Sequence, residues 1–274
     1  MQHQKERYLI CVDLDSTLLD DKKQISDKTV AYFQKLVKDE HIIILNSGRP
    51  YQGAIPHLKR LGINFPIIFC DGGGILYLDG DYNVIDKELF LVKKEDVIKL
   101  YNEFEKDIIA INLIEFDNQF YNDRKVIPDF MFHDGPNIKY YEGRISDILF
   151  CDVINIICVV TLKGNKKFKE ALDKIEDISY FNYGEYDEVS VYEIAKKGVN
   201  KGSTLLALAN RYGIDYDHII AIGDSFNDIE MIKVAKYSCA MVNASDSLKK
   251  YAKYTTKYDS NHDGVMHFLK TIIK

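Results

Sequence analysis

Short apolar runs that stop at a polar residue recur along the first part of the chain. Residues 8–12 (YLICV) end at Asp13, 41–46 (HIIILN) run into Ser47, and 65–70 (FPIIFC) end at Asp71. Continuous apolar runs of this length predict strands buried on both faces, as in a parallel sheet. Helical spacing separates them: Val30, Phe33, Leu36 and Val37 follow a Ser26 N-cap, and 51–61 follow Ser47-Gly48-Arg49. The order βαβαβ predicts a doubly wound, mostly parallel α/β sheet.

After Asp71-Gly72-Gly73-Gly74 the rhythm changes. A hairpin is predicted from 75–78 and 82–85, turning on Asp79-Gly80-Asp81. Helices are then predicted at 94–106 and 164–175, and strands at 108–116, 153–162, 179–183 and 188–194. That mixture predicts an α+β insertion, one sheet with helices on one face. The α/β rhythm resumes with a helix at 201–212, a strand at 218–222, a helix at 229–235 and a strand at 238–242. The first domain is therefore discontinuous, 1–82 plus 190–274, with the insertion at 83–189.

Composition narrows the function. Hydrophobic residues are 46% and charged residues 28% of 274, values of a folded chain with a sizeable core. A formal charge of −6 argues against nucleic acid as a partner, because phosphate contacts need clustered Lys and Arg. No apolar run reaches the roughly 18 residues of a membrane span, so no membrane partner is expected and the expected address is cytoplasmic. Five cysteines without a CxxC pair (Cys11, Cys70, Cys151, Cys158, Cys239) are expected to be reduced core residues. The Asn243-Ala244-Ser245 sequon is expected to be chance. Nothing in the pattern specifies an oligomeric state.

Four places carry candidate chemistry. Asp13-Leu14-Asp15 sits at the end of a predicted strand, where residues i and i+2 point the same way, so two carboxylates can address one ligand. Asn46-Ser47-Gly48-Arg49 offers a hydroxyl and backbone N–H groups before a helix. Lys201 opens another helix. Gly223-Asp224-Ser225-Phe226-Asn227-Asp228 places two carboxylates four apart, suited to a hard divalent cation. Taken singly, each is also ordinary turn and capping chemistry. Three of them, however, follow strands of one parallel-type sheet and should emerge along one edge. Two carboxylates about 5 Å apart repel by roughly 3 kcal/mol at an effective dielectric of about 20. Converging acids therefore demand a cation, and with Lys201 the pocket suits a phosphate dianion.

In order and spacing, DLDST at 13–17, Ser47 in NSGR, Lys201 in NKGSTL and GDSFND at 223–228 resemble the haloacid dehalogenase superfamily, most closely its Cof-type phosphatases with a type IIB cap. The resemblance spans essentially the whole chain and implies a Rossmann-like core with an inserted α+β cap that sets specificity. It implies a Mg²⁺-dependent phosphohydrolase of small phosphorylated metabolites, sugar phosphates or nucleotide- and flavin-type phosphates, working through an aspartyl-phosphate. Asp13 would be the nucleophile and Asp15 the acid/base. Mg²⁺ would be held by Asp13, the Asp15 carbonyl and Asp224, with Asp228 in support. Leu14, Ser47, Gly48, Lys201 and Asn227 would grip the phosphoryl oxygens, and no further cofactor is implied. Tyr183 and Tyr186 are candidates to line the cap, although strand packing explains them better. The chain departs from the family at Ser16, where Gly is usual, and at Asp71-Gly72-Gly73, where Asn-Gly-Ala is common. Asn261-His262-Asp263-Gly264-Val265 resembles the family's closing segment and is expected to brace the site. A phosphomutase or other phosphotransferase, and a non-enzymatic phosphoacceptor signalling module, are the alternatives.

Overall fold

The computed structural model describes residues 6–128, 131 and 137–273. The chain divides into two compact units, one running to Glu88 and resuming at Asn200, the other Leu89–Val199. The first unit begins β1 (Leu9–Val12), α1 (Asp27–Lys38), β2 (Ile42–Asn46), α2 (Tyr51–Leu61), β3 (Ile67–Phe69), β4 (Gly74–Leu78) and β5 (Val84–Leu89). The inserted unit comprises α3 (Lys94–Phe104), β6 (Ile108–Ile114), β7 (Asn118–Tyr121), β8 (Lys139–Glu142), α4 (Ile145–Ile148), β9 (Asn155–Thr161), α5 (Leu162–Leu172), β10 (Ile178–Tyr186) and β11 (Val189–Lys196). The first unit closes with α6 (Lys201–Arg211), β12 (Ile219–Gly223), α7 (Ile229–Lys233), β13 (Tyr237–Ala240), α8 (Asp246–Lys249), β14 (Tyr254–Thr255) and α9 (Gly264–Ile272).

The insertion is displaced from the expected 83–189 at both ends. β5 extends the first unit's sheet as far as Leu89, and β11 stays in the second unit's sheet as far as Lys196, so strand pairing rather than the hairpin turn sets the divide.

Among the described residues the first unit's sheet has the order β14-β13-β12-β1-β2-β3-β4-β5. Pairing is parallel from β14 to β3 and antiparallel between β3 and β4. Every residue of β1, β2 and β12 is buried, which is why these strands read as unbroken apolar runs. From β1 the chain builds outward first through β2 and β3 and later, on the other side, through β12 and β13. β1 is thus the topological switch point, where open α/β sheets bind ligands beyond their carboxyl ends. α1 starts where Ser26 Oγ accepts from the Thr29 N–H, as the capping pattern predicts.

In the second unit the order is β10-β11-β9-β6-β7-β8. One face packs on α3 and α5 through residues such as Leu100, Phe104, Phe168 and Tyr192, with Phe104 meeting Phe168 edge to face. The other face, including Ala110, Tyr121, Val159 and Val191, is packed by Ile127 and Met131. Tyr183 packs there too and donates its hydroxyl to Glu193, in keeping with a packing role; the Tyr186 side chain lies outside the described residues. β7, β8, α4, α8, β14 and α9 were not legible in the apolar pattern. β8 (KYYE) is largely exposed, and the other segments are short or lie outside the clear periodicities, α9 excepted.

The 261–265 segment braces the loop after the first motif. Ser26 and Thr29 donate to Asp263 Oδ1, and Asn261 bonds to Asp21. No helix among the described residues is long and apolar enough to cross a membrane. All five cysteines are free thiols, and Cys151 is half-buried rather than a core residue.

α6 and α7 approach so closely that a Cβ on Gly202 would lie 2.4 Å from the Glu230 carbonyl oxygen. Gly202→Ala should therefore force the start of α6 outward and cost about 1–3 kcal/mol, read as a lower urea midpoint. An unchanged midpoint would show that the contact yields freely.

Candidate active site

Adjacent strands deliver three of the motifs to one edge, and the start of a helix brings the fourth. Asp13 follows β1, and its N–H donates to the Ile222 carbonyl of β12 at 3.0 Å. Asn46 and Ser47 leave β2 on one side, Gly223 and Asp224 leave β12 on the other, and Lys201 is the first residue of α6.

Lys201 occupies the centre. Its ammonium donates at 2.7 Å to Asp13 Oδ1 and at 2.7 Å to Asp228 Oδ1, and lies 3.8 Å from Asp71 Oδ1. It is only 1% exposed, so a long cationic side chain is wholly inside the protein. Local chemistry holds it there. Asn200 caps α6, its Oδ1 accepting from the Gly202 and Ser203 N–H groups, and Asn46 Nδ2 donates to the Lys201 carbonyl at 3.0 Å. Asp228 uses both oxygens: Oδ2 accepts from the Asp224 and Ser225 N–H groups at 3.0 and 3.1 Å, so it fixes the loop as well as the lysine. Gly223 is required beside it, because a Cβ there would lie 2.5 Å from the Asp228 carboxylate.

Asp13, Asp224 and Asp228 each offer a carboxylate oxygen, all within 4.8 Å of one another. Thr17 Oγ1 donates to Asp224 Oδ1 at 3.1 Å, a contact that ties the first motif to the last. One ammonium does not balance three acids, and the ionisations follow from that. Burial, followed by repulsion from Asp228 and Asp224, raises Asp13 well above the usual carboxylate range despite Lys201. Burial and Asp228 push Asp224 up to about 6, against the hydrogen bond from Thr17. Burial disfavours the Lys201 ammonium, but Asp13 and Asp228 outweigh this and hold it protonated.

Asp15 is tuned the other way. Its carboxylate is gripped by Arg49, with Nε to Oδ2 and Nη2 to Oδ1 both at 2.6 Å, and by Lys23 at 2.7 Å. Partial burial raises it, yet these two cations bring it down to about 2. Neither Arg49 nor Lys23 stood out in the sequence. Arg49 lies inside the NSGR motif and offers a fork matched to a carboxylate, but which acid it meets depends on the loop geometry.

The remaining predicted residues cluster here as well. Ser47 is 1% exposed, and its Oγ accepts from the Arg49 N–H. Leu14 is buried in the tight turn after Asp13. Asn227 Nδ2 donates to Asp71 Oδ1 at 2.9 Å, and the Asp71 carboxylate lies over Gly48, 3.0 Å from where a Cβ would stand. Ser16 takes the left-handed conformation with φ 57°, which explains why glycine suits this position. Its side chain is exposed, and its carbonyl accepts from Asn243 Nδ2 at 2.8 Å, so the asparagine of the sequon helps to hold the turn.

A family model described as haloacid dehalogenase-like hydrolase matches residues 10–269. A 5-amino-6-(5-phospho-D-ribitylamino)uracil phosphatase of Bacillus subtilis is 28% identical over 266 residues, covering 96% of both chains. A phosphatase of the same description from Escherichia coli is 25% identical over 277 residues, 97% of this chain and 96% of that one. Among solved structures, a haloacid dehalogenase-like hydrolase from Bacteroides thetaiotaomicron superposes with a TM-score of 0.75 at 25% identity, covering 97% of this chain and 99% of the other.

Lys201→Met should leave Asp13 and Asp228 buried without their shared cation and cost about 3–5 kcal/mol at pH 7. The loss should shrink as falling pH protonates Asp13; a urea midpoint equal to wild type at pH 7 would contradict the role of Lys201 as the shared counter-ion. Asp224 supplies a second test. Its folded pKa of about 6 lies above the ordinary 3.8, so the folded state binds more protons between these values. In cation-free protein this contribution makes stability fall as pH rises from about 4 to about 6. Asp224→Asn should flatten that part of the profile, and an unaltered slope would place its origin elsewhere.

Proposed function

Because the chain belongs to the haloacid dehalogenase-like hydrolase family, we propose that it is a Mg²⁺-dependent phosphatase of small phosphorylated metabolites, acting through an aspartyl-phosphate on Asp13. The observation that carries this reading is the Lys201 ammonium, 2.7 Å from both Asp13 and Asp228 beside a third carboxylate at the switch point of the sheet. A hard divalent cation fits the donor set, which is oxygen-only and more negative than Lys201 can balance. Asp13, the Asp15 carbonyl and Asp224 would hold it, with Asp228 supporting from behind. Bound there, it would withdraw negative charge from the phosphoryl oxygens.

The protein's own groups then divide the work. An Asp13 carboxylate oxygen bonds to phosphorus as the bond to the leaving oxygen breaks, and Asp15 gives that oxygen a proton. In the second half Asp15 takes a proton from water, the water oxygen bonds to phosphorus, and the bond to Asp13 breaks to release inorganic phosphate. Ser47, the Leu14 and Gly48 N–H groups, Lys201 and Asn227 hold the phosphoryl oxygens. The contacts from Arg49 and Lys23 favour the anionic form of Asp15, the form that takes the proton from water in the second half. The names of the two relatives support a polyol phosphate joined to a heterocycle, within the wider class of sugar and nucleotide- or flavin-type phosphates. The inserted unit, Leu89–Val199, would select the leaving group.

Phosphate release from a panel of sugar phosphates, nucleotides, flavin mononucleotide and p-nitrophenyl phosphate tests the reading. Multiple turnovers abolished by EDTA are expected; a single turnover points to a signalling module, and substrate loss without free phosphate to a mutase. Asp13→Asn should abolish release. Asp15→Asn should slow the first step, read as the pre-steady-state release of the alcohol, by about 10²–10⁴-fold for a sugar phosphate but much less for p-nitrophenyl phosphate, because that leaving group departs without a proton. The shared second step should slow for both. Equal slowing of the first step with both substrates would remove Asp15 from the acid role.

A further inference from the structure

Beyond the residues that the phosphatase reading employs, the site contains a carboxylate aimed at its own anion-binding groups. After β3 the chain turns through two successive left-handed non-glycine residues, Cys70 (φ 47°) and Asp71 (φ 53°), and then Gly72 (φ 98°). Such backbone is unfavourable for residues with a Cβ and persists only where the surroundings impose it. Here both sides impose it. The Cys70 and Asp71 N–H groups donate to the carbonyls of Arg49 and Ser47 at 3.0 and 3.2 Å, locking the turn to the NSGR loop. On the other side Thr204 donates to the Gly72 carbonyl at 2.9 Å, and a Cβ on Gly72 would lie 2.4 Å from the Asn200 carbonyl.

The result is a fixed carboxylate among donors. Asp71 Oδ1 accepts from Asn227 Nδ2 at 2.9 Å and lies 3.8 Å from the Lys201 ammonium, while Oδ2 lies over Gly48. Its side chain is 20% exposed, so solvent screens it only in part. Asn227, Lys201 and Gly48 are three of the groups assigned to the phosphoryl oxygens.

We propose that Asp71 tunes phosphate affinity, an internal anion in the phosphate cradle that weakens the hold on phosphate in both substrate and product. The inference rests on the phosphatase reading of the same site and adds to it a direction of tuning. Asp71 competes for the charge of Lys201 and the amide of Asn227, and it repels an incoming dianion. Inorganic phosphate is thereby released readily, and product release is a step that limits turnover in many enzymes. Asn at this position would keep the shape and the acceptor for Asn227 while removing the charge.

The test compares wild type, Asp71→Asn and Asp71→Ala for competitive inhibition by inorganic phosphate, with p-nitrophenyl phosphate as substrate, at fixed pH, ionic strength and Mg²⁺. Both variants should bind inorganic phosphate more tightly, with Ki lowered about tenfold or more, and KM should fall in parallel. Damage to the loop would raise Ki, so a purely structural role predicts the opposite sign. An unchanged or raised Ki in Asp71→Asn overturns the proposal. Calorimetric titration with inorganic phosphate makes the same comparison without turnover. A wild type that releases no phosphate from any monoester therefore defeats the phosphatase reading, whereas untightened phosphate binding in the variants defeats this one.

Discussion

A lysine ammonium buried between two carboxylates is the interaction on which the rest of the site depends. Lys201 can stay charged at 1% exposure only because Asp13 and Asp228 lie 2.7 Å away, and those acids can stay close only because the lysine is there. Much of the surrounding structure serves to hold that geometry. Asn200 caps the helix that begins with the lysine, Asn46 anchors the lysine carbonyl, and Gly202 lets α6 press against α7. Gly223 leaves room for Asp228 to bond with two backbone N–H groups while facing the lysine. Each of these residues is small or polar for a reason set by one buried charge.

The same arrangement separates two carboxylates that lie two residues apart. Asp13 points into the buried cluster, where low polarizability and like charge favour its protonated form. Asp15 points toward Arg49 and Lys23, which stabilise its anion and bring it to about 2. A turn with one left-handed residue, Ser16, follows them and is held by Asn243. Identical side chains thus acquire different chemistry from their surroundings. An excess of negative charge in so buried a cluster is a cost to folding that Lys201 relieves only in part.

That this centre lies in the first unit has an architectural cause. All its residues sit on loops at the carboxyl ends of β1, β2, β3 and β12 or at the start of α6. The insertion leaves after β5 and returns just before Asn200. It has its own sheet and its own core around Phe104, Phe168 and Tyr192, apart from the strands that carry the charge cluster.

The linear order of residues determined the class of fold and which polar residues would gather at one edge of the sheet. β1, β2 and β12 are buried on both faces and so appear as unbroken apolar runs, and a polar residue after such a run marks the edge where ligands bind. Asp13, Asp15, Ser47, Asp224 and Asp228 stood out as candidates because polar residues follow those strands, and Lys201 stood out only beside them, since it opens α6 rather than ending a strand of this sheet. The partners of these residues did not. That Arg49 grips Asp15, that Thr17 reaches Asp224, and that Asp71 faces Asn227 depend on loops whose backbone takes left-handed turns at Ser16, Cys70 and Asp71. Such turns are imposed by contacts between segments distant in sequence, whereas local propensity disfavours them. The limits of the insertion were misplaced for the same reason: pairing between strands, which no local pattern records, decided where one unit stopped and the next began. Local sequence carries hydrophobic period and residue chemistry; only the tertiary structure decides which charges face one another, because that is settled by packing across the whole sheet.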